Sequence, residues 1–506
     1  MQPITGGVSL RRILPTGRYS RATDLYFSSC CSDSRNCRPG DLFVALVGSD
    51  EDGHDHIAEA VERGAIGILS ERFVSAPVPL CIVPDTRDAY GQICQALAGT
   101  PCEDLFVIGV SGTNGKTAAA MLLAGIFKQA CITTGIISSL GVSDSMDVHD
   151  GGQVMLRAPE VAKHLSTMSL NGCSHAILEI PSVALARRTI AGLSLDAAVL
   201  TNLASDHLDI HGTIENYRRA QRRLFSHLKP TGFAVLNTDD PGSHACLSMM
   251  DCPTLTTGIK SDAQLTATLV ERCPSEQTFL MHAGNQTMPV RTRIIGDSHI
   301  NLCLQATTVA LASGLDLATI ASGLESIDDL PGVLERVECG QPFSVFVDRC
   351  RTPHRLSRAL HTLRQVTTGR LICVVGPSGE IDSSQRPLFG RIAEKASDVT
   401  IITANNPANE HPLQTIHDVL DGYGRPDRAL ICPDREQAIQ TALSEATTGD
   451  TVLISGKGHE TLQYLQDRVI PFDDHQVASQ WLYDVAAKQD SPSPFMPPDL
   501  GLFNLN

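Results

Sequence analysis

The chain has 506 residues, enough at ~100–200 residues per domain for about three domains with real cores. Its 40 Lys+Arg against 56 Asp+Glu give a formal charge of −16, which argues against a broad phosphate-neutralising surface for DNA or RNA and leaves an anionic ligand to a local pocket. No stretch approaches the ~18 uninterrupted apolar residues of a spanning helix, and Met1–Gly7 has no basic start leading into an apolar run, so no secretory signal is expected and a cytoplasmic location follows by default.

Residues 1–104 combine the apolar run Asp41–Val47, a helical stretch at Ile57–Arg63 and a strand-like Ala65–Leu69, the pattern of a small α/β domain. A second unit, 105–337, opens with the buried-strand pattern Leu105–Val110, a Gly-rich turn and a helical run Lys116–Gln129. Strand candidates at His175–Leu178, Asp196–Leu200 and Gly232–Leu236 then alternate with helical segments, as in a largely parallel sheet. From about residue 338 the alternation restarts, with strands at Ser344–Val347, Leu371–Val375, Val399–Thr403, Ala429–Cys432 and Thr451–Ser455. Helices are expected from Pro353, Arg386, Pro412 and Arg435 and around Trp481, which makes 338–490 a doubly wound, Rossmann-like domain. The Pro/Ser-rich tail 491–506 is expected to be disordered. The 16 cysteines include no Cys-x-x-Cys pair and read as small buried hydrophobes. The cluster Cys30, Cys31, Cys37 lacks histidines at ligand spacing and is a poor zinc site.

The strongest chemical signal is Gly112-Thr113-Asn114-Gly115-Lys116-Thr117 between a strand and a helix. Glycines let backbone N–H groups face a phosphate, Lys116 can pair with β/γ oxygens, and the Thr117 hydroxyl suits Mg²⁺. It departs from the general P-loop pattern, because Gly109 has five residues rather than four before Gly115.

This loop resembles the ATP loop of the Mur ligase family, and the resemblance, in particular to the UDP-N-acetylmuramoyl-tripeptide synthetase branch, runs to about residue 488. Asp33-Ser34-Arg35, Pro39–Leu46 and Asp52-Gly53-His54 match that branch's nucleotide-sugar domain, which related folylpolyglutamate synthetases lack. The resemblance implies three α/β domains. They are a small nucleotide-sugar domain, a central P-loop-type mostly parallel ATPase domain and a C-terminal amino-acid-binding domain. It implies ATP and Mg²⁺ as cofactors, with Gly112, Thr113, Asn114, Gly115, Lys116, Thr117 and Asp348 on the nucleotide and Thr117, Glu179 and His207 on metal. Lys116, Glu179 and His207 would carry catalysis. Ser34, His54, Arg157, Ser182, Arg386, Asn406, Gly456 and Glu460 would contact substrate, Arg386 and the Gly456–Glu460 signature holding the incoming amino acid.

Several family positions are changed. Gln221 replaces a carbamylated lysine that bridges the metals, and a neutral amide is a weaker Mg²⁺ ligand than a carbamate. Arg157-Ala158 replaces a threonine pair, Ile180-Pro181-Ser182-Val183 drops a histidine, and Val333 replaces the arginine of Pro-Gly-Arg. Asp348-Arg349-Cys350-Arg351-Thr352-Pro353 stands for Asp-Tyr-Ala-His-Thr-Pro. Ala408 replaces the arginine that reads the distal carboxylate of diaminopimelate, so that amino acid is not supported as substrate.

The implied activity is ATP-dependent amide-bond formation between a UDP-N-acetylmuramoyl-peptide carboxylate and an amino acid, through an acyl phosphate, in peptidoglycan precursor synthesis. No nucleic-acid or membrane partner is expected, and the protein would act as a monomer. The alternative is a weak or inactive paralogue that binds nucleotide as a scaffold or regulator, favoured by the losses at Gln221, Val333 and Arg351.

Overall fold

The computed structural model describes residues 7–48, 51–150, 157–204, 208–465 and 468–489. The predicted tail 491–506 and His207 lie outside these. The chain divides into two compact units, Met1–Val270 with Thr278–Thr292 and Asp297–Ile327, and Glu271–Gln277 with Arg293–Gly296 and Asp328–Asn506. The architecture is α/β with mostly parallel sheets, as the strand and helix alternation implies.

The first unit begins with a five-stranded sheet in the order Arg18–Ser20, Leu80–Ile82, Gly67–Ser70, Asp41–Val44, Ser29–Cys31, parallel except for its antiparallel first strand. Successive side chains of a strand point to opposite faces. Leu42 and Val44 accordingly pack with Leu69 and Cys81, while Phe43 and Ala45 pack with Ile68 and Leu80. Both faces are covered, which explains a continuous apolar run where a half-exposed strand would alternate. Cys31, Cys37 and Asp41 bring three potential ligand atoms within 4.8 Å of one another. Asp41, however, already accepts from the Ser29 hydroxyl and from Arg38 N.

The central sheet of the same unit has parallel strands in the order Thr134–Ser138, His175–Glu179, Phe106–Ser111, Leu195–Leu200, Leu228–Asn237, Thr254–Gly258. The helix Lys116–Gln129 buries Ala118, Leu122, Leu123, Ile126 and Phe127. The helix Asp297–Ala312 packs on it and is buried over nearly its whole length. Sequence reading missed Leu265–Cys273, Glu276–Ala283 and Gln286–Thr292, which extend the sheet in chain order. These are half-exposed strands with mixed polar and apolar residues, and they lack the dense Val/Ile/Leu signal of buried parallel strands.

The second unit carries a sheet in the order Glu335–Arg336, Ser344–Asp348, Thr451–Ser455, Leu371–Val375, Val399–Ile402, Leu430–Ile431, parallel apart from the first pair. Thr451–Ser455, the last of this sheet's strands in chain order, thus lies in the middle. The helices that follow its two neighbours, Pro353–Arg364 and Arg386–Ala396, pack on one face, whereas the helix that follows it, Asp474–Gln489, packs on the other, so a crevice opens at the carboxyl ends, where doubly wound sheets bind ligands. Asp348, Gly376, Asn405 and Gly456 all sit at that edge. Leu430–Ile431 is shorter than the predicted Ala429–Cys432.

Candidate active site

The phosphate-type loop leaves the central strand Phe106–Ser111 and enters the helix Lys116–Gln129. Gly112 and Gly115 have φ of +137° and +84°, conformations that L side chains rarely adopt, and a Cβ at Gly112 would collide with the Thr201 hydroxyl. The loop is pinned from below. Asn114 N donates to Asn202 Oδ1 (3.1 Å), and its carbonyl accepts from Thr201 Oγ1 (2.7 Å) and Asn202 Nδ2 (2.8 Å). Lys116 Nζ rests on the carbonyls of Gly112 and Thr113 at 2.9 and 3.1 Å. At the helix start, Thr117 Oγ1 donates to Glu179 Oε2 at 2.9 Å, and Ser139 N reaches the same oxygen at 3.0 Å. A hydroxyl and a buried carboxylate, both hard oxygen donors, therefore converge beside a helix N-terminus, a donor set that fits Mg²⁺ and phosphate.

Gln221 lies on the helix Ile214–Arg222 and is fully buried. Its Oε1 is 2.7 Å from Ser111 Oγ, and its Nε2 donates to Tyr217 Oη at 3.1 Å. Tyr217 Oη in turn is 2.7 Å from Thr113 Oγ1. Both ends of the amide are thus spent on tying the phosphate loop's strand to this helix. Ser182 is buried with Oγ 3.0 Å from His211 Nε2, and Arg157 is exposed at the N-cap of helix Ala158–Leu170.

Beside the N-terminal sheet, Ser34 Oγ in the turn Ser34–Asn36 donates to Glu59 Oε2 of the helix Ile57–Glu62 at 2.7 Å. The His54 ring is 2.6 Å from Asp52 through Nδ1 and accepts from Glu71 N at 3.2 Å through Nε2. Both side chains are buried and engaged within their own loop clusters.

In the second unit Asp348 is buried and chelated by Arg355, with Nε to Oδ1 at 2.8 Å and Nη2 to Oδ2 at 3.1 Å. Leu334 N adds a bond to Oδ2 at 2.9 Å. Arg386, 2% exposed, gives Nη1 to Glu410 (2.6 Å) and Asp418 (2.7 Å) and Nη2 to Glu410 (3.0 Å) and Gly379 O (2.8 Å). Its guanidinium is engaged by two carboxylates of the protein. Glu460 Oε1 accepts from Arg349 Nε (3.1 Å), Arg349 Nη2 (2.9 Å) and Arg351 Nη2 (3.1 Å), and Oε2 accepts from Asn406 Nδ2 (3.0 Å). Burial, reinforced by the Arg351 charge, lowers the Arg349 pKa. Lys457, buried and further opposed by the Arg435 charge, falls to about 8. Ala408 adopts φ +53° in the turn after Asn406.

Of the residues expected to act, the structure gathers Gly112–Thr117 with Glu179 at one strand edge and Asp348, Asn406, Gly456 and Glu460 at the other unit's sheet edge. Asn202, Ser139, Tyr217 and Arg355 join these clusters without having been singled out. Ordinary polar residues scattered through the chain carry no spacing signal.

Residues 110–310 match the Mur ligase middle domain and 334–458 the Mur ligase glutamate ligase domain, which together contain the phosphate loop, Glu179, Asp348 and Gly456. A Geobacillus thermodenitrificans protein named UDP-N-acetylmuramoyl-L-alanyl-D-glutamate--2,6-diaminopimelate ligase is 38% identical over 453 residues, spanning 88% of this chain and 93% of that one. A Syntrophomonas wolfei protein of the same name is 34% identical over 91% of this chain and 95% of its own length. A solved structure of a ligase of that name superposes with TM-score 0.71 at 26% identity over 95% of this chain and 99% of the other. Identity of this extent across both units, with the loop, Glu179, Asp348, Asn406 and Gly456 inside the matched domains, places the chain in the Mur ligase family.

Proposed function

We propose that the protein is an ATP- and Mg²⁺-dependent ligase that joins an amino acid to the carboxylate of a UDP-N-acetylmuramoyl-peptide. The observation that carries this is the Thr117–Glu179 pair, 2.9 Å apart at the mouth of a glycine loop and a helix N-terminus. A carboxylate does not accept an amine in water. The γ-phosphoryl of ATP must first pass to it, so several negative oxygens have to converge before the amine displaces phosphate. In this reading the loop amides and Lys116 hold the phosphates, and Thr117 and Glu179, joined by His207, hold the metal. A bound Mg²⁺ offsets the charge that builds up as the phosphoryl group moves. Residues 1–104, 105–337 and 338–490 are the sugar-nucleotide, ATP and amino-acid domains, with Ser34, His54, Arg157 and Ser182 on the muramoyl substrate. Asp348, Asn406, Gly456 and Glu460 surround ATP and the amino acid. Arg386 contributes by holding Glu410 and Asp418. The names of the 34–38% identical relatives support the same reading.

The test is phosphate release from ATP by the purified protein. Release that requires both UDP-muramoyl-dipeptide and an amino acid is expected. Release independent of both would make the protein an ATPase rather than a ligase, and none with any amino acid would leave only a nucleotide-binding scaffold.

The buried Gln221 amide makes a second expectation sharper. Its oxygen accepts from Ser111, which takes one of its two lone pairs, and an amide supplies no charge to a second metal. Turnover should therefore need more Mg²⁺ than a carbamate site would. Gln221→Lys assayed with bicarbonate should lower the half-saturating Mg²⁺ about tenfold, since a carbamate anion would neutralise a metal pair. A natural protein already saturated at low Mg²⁺, with no gain in the mutant, would show that the amide suffices.

A further inference from the structure

We propose that Arg349 and Arg351 make the sheet-edge cavity of the second unit a site for an amino acid whose side chain ends in a carboxylate, an inference that rests on the ligase reading above. The cavity is a small, open-mouthed crevice lined by Cys350, Arg351, Gly376, Asn405, Gly456 and Glu460 among others. Glu460 is its carboxylate, and this chain places two guanidiniums on that one group. Three N–H donors reach Oε1 and an amide N–H reaches Oε2, which fills Oε1 and leaves Oε2 one of its roughly two acceptor positions. A substrate ammonium would find a single acceptor position there and two cations beside it.

The positive charge is in surplus. Arg349 and Arg351 share Glu460 Oε1, and the other carboxylate near them, Glu380, stands 3.9 Å from Arg351 and is exposed, so water screens it. Arg349 Nη1 and Arg351 Nε and Nη1 have no protein partner among the described residues. Arg351 is half exposed and turned to the cavity. The wall behind is also incomplete. Asn405 Oδ1 and Arg435 Nη1 are buried polar atoms without partners, and Arg435 Nη1 lies 3.2 Å from where a Cβ of Gly376 would stand. A Cβ at Gly376 or Gly456 would meet Thr403 O or Gly376 O at 2.7 and 2.6 Å, so only glycine lets the strand ends close in here, and a zwitterionic ligand at this wall would supply both the donor and the acceptor that it lacks. A planar carboxylate can take two parallel N–H bonds from a guanidinium fork, which is the geometry Arg351 leaves unused.

Family members read the distal end of diaminopimelate with an arginine that is Ala408 here. The two arginines across the cavity do not restore that reading, because diaminopimelate carries an ammonium beside its distal carboxylate and would bring it against them. Glutamate or 2-aminoadipate carries the anion alone.

The test is calorimetric titration of the full-length protein with glutamate, 2-aminoadipate, alanine, lysine and 2,6-diaminopimelate, each in both configurations and with Mg·ADP present. Glutamate or 2-aminoadipate should bind at least tenfold more tightly than alanine, lysine or diaminopimelate, and Arg351→Ala should erase about tenfold of that preference. Arg351→Lys, which keeps charge but loses the fork, should retain part of it. Lysine or diaminopimelate binding as tightly as the acidic ligands, a preference untouched by Arg351→Ala, or no binding of any amino acid would overturn the proposal. The phosphate-release assay separates this from the ligase reading. Release with neutral or basic amino acids defeats only the acidic preference, whereas binding of glutamate without release under any condition defeats only the ligase reading.

Discussion

Replacing Lys116 by alanine should weaken Mg·ATP binding at least a hundredfold and abolish phosphate release. The loop amides and the helix N-terminus survive the change, but the ammonium at the loop goes. It can contact two phosphate oxygens, and charge-assisted bonds of about 1.5–3 kcal/mol each amount to roughly two to four powers of ten in affinity. In the absence of nucleotide Lys116 donates to the carbonyls of Gly112 and Thr113 at the partly exposed loop, where water can replace it, so the thermal transition should move little. Isothermal titration with Mg·ATP, paired with a melting curve, checks both statements. Equal affinity in the natural and Lys116→Ala proteins would remove the nucleotide from this loop.

The second large effect is on stability. Arg435 and Asp474 form an ion pair with both side chains fully buried, Nε to Oδ1 at 2.7 Å and Nη2 to Oδ2 at 2.6 Å, and Arg435 Nη2 also donates to Ser455 O at 3.1 Å. Asp474→Asn leaves the guanidinium without its countercharge where water cannot reach, and breaking such a pair from one side costs about 3–5 kcal/mol. The loss belongs to the second unit, whose unfolding can be followed by the fluorescence of Trp481, the chain's one tryptophan, on the same helix as Asp474. The midpoint of that fluorescence step in urea should fall sharply. The pair Arg435→Met with Asp474→Leu should recover most of the loss, because removing both charges also removes the desolvation penalty. A shift of less than about 1 kcal/mol for Asp474→Asn would mean that another group neutralises Arg435. Because Arg435 underlies Gly376 and Gly456, Asp474→Asn should also weaken amino-acid binding at the cavity, whereas Lys116→Ala should not.

The sequence by itself determined the parts of this protein that depend on local pattern. The loop Gly112–Thr117 is legible because positive φ at two close positions demands glycine, and because a strand and a helix of ordinary period flank it. The parallel strands are legible because burial on both faces makes their residues apolar throughout, as in Leu371–Val375 and Thr451–Ser455. Asp348, Asn406 and Gly456 could be placed at one sheet edge because each follows or ends such a strand. Only the tertiary structure decided what the polar groups do. Gln221 reads as a poor metal ligand in sequence, and the fold turns its amide inward to Ser111, 110 residues away, and to Tyr217. Arg386 reads as a free cation for a substrate carboxylate, and the fold surrounds it with Glu410 and Asp418. Arg351 reads as a loss beside the changed Arg349, and the fold closes both on Glu460, more than a hundred residues on. Hydrogen-bond partners so distant in sequence leave no trace in periodicity or propensity, since the partner of a buried charge is set by how the strand ends converge.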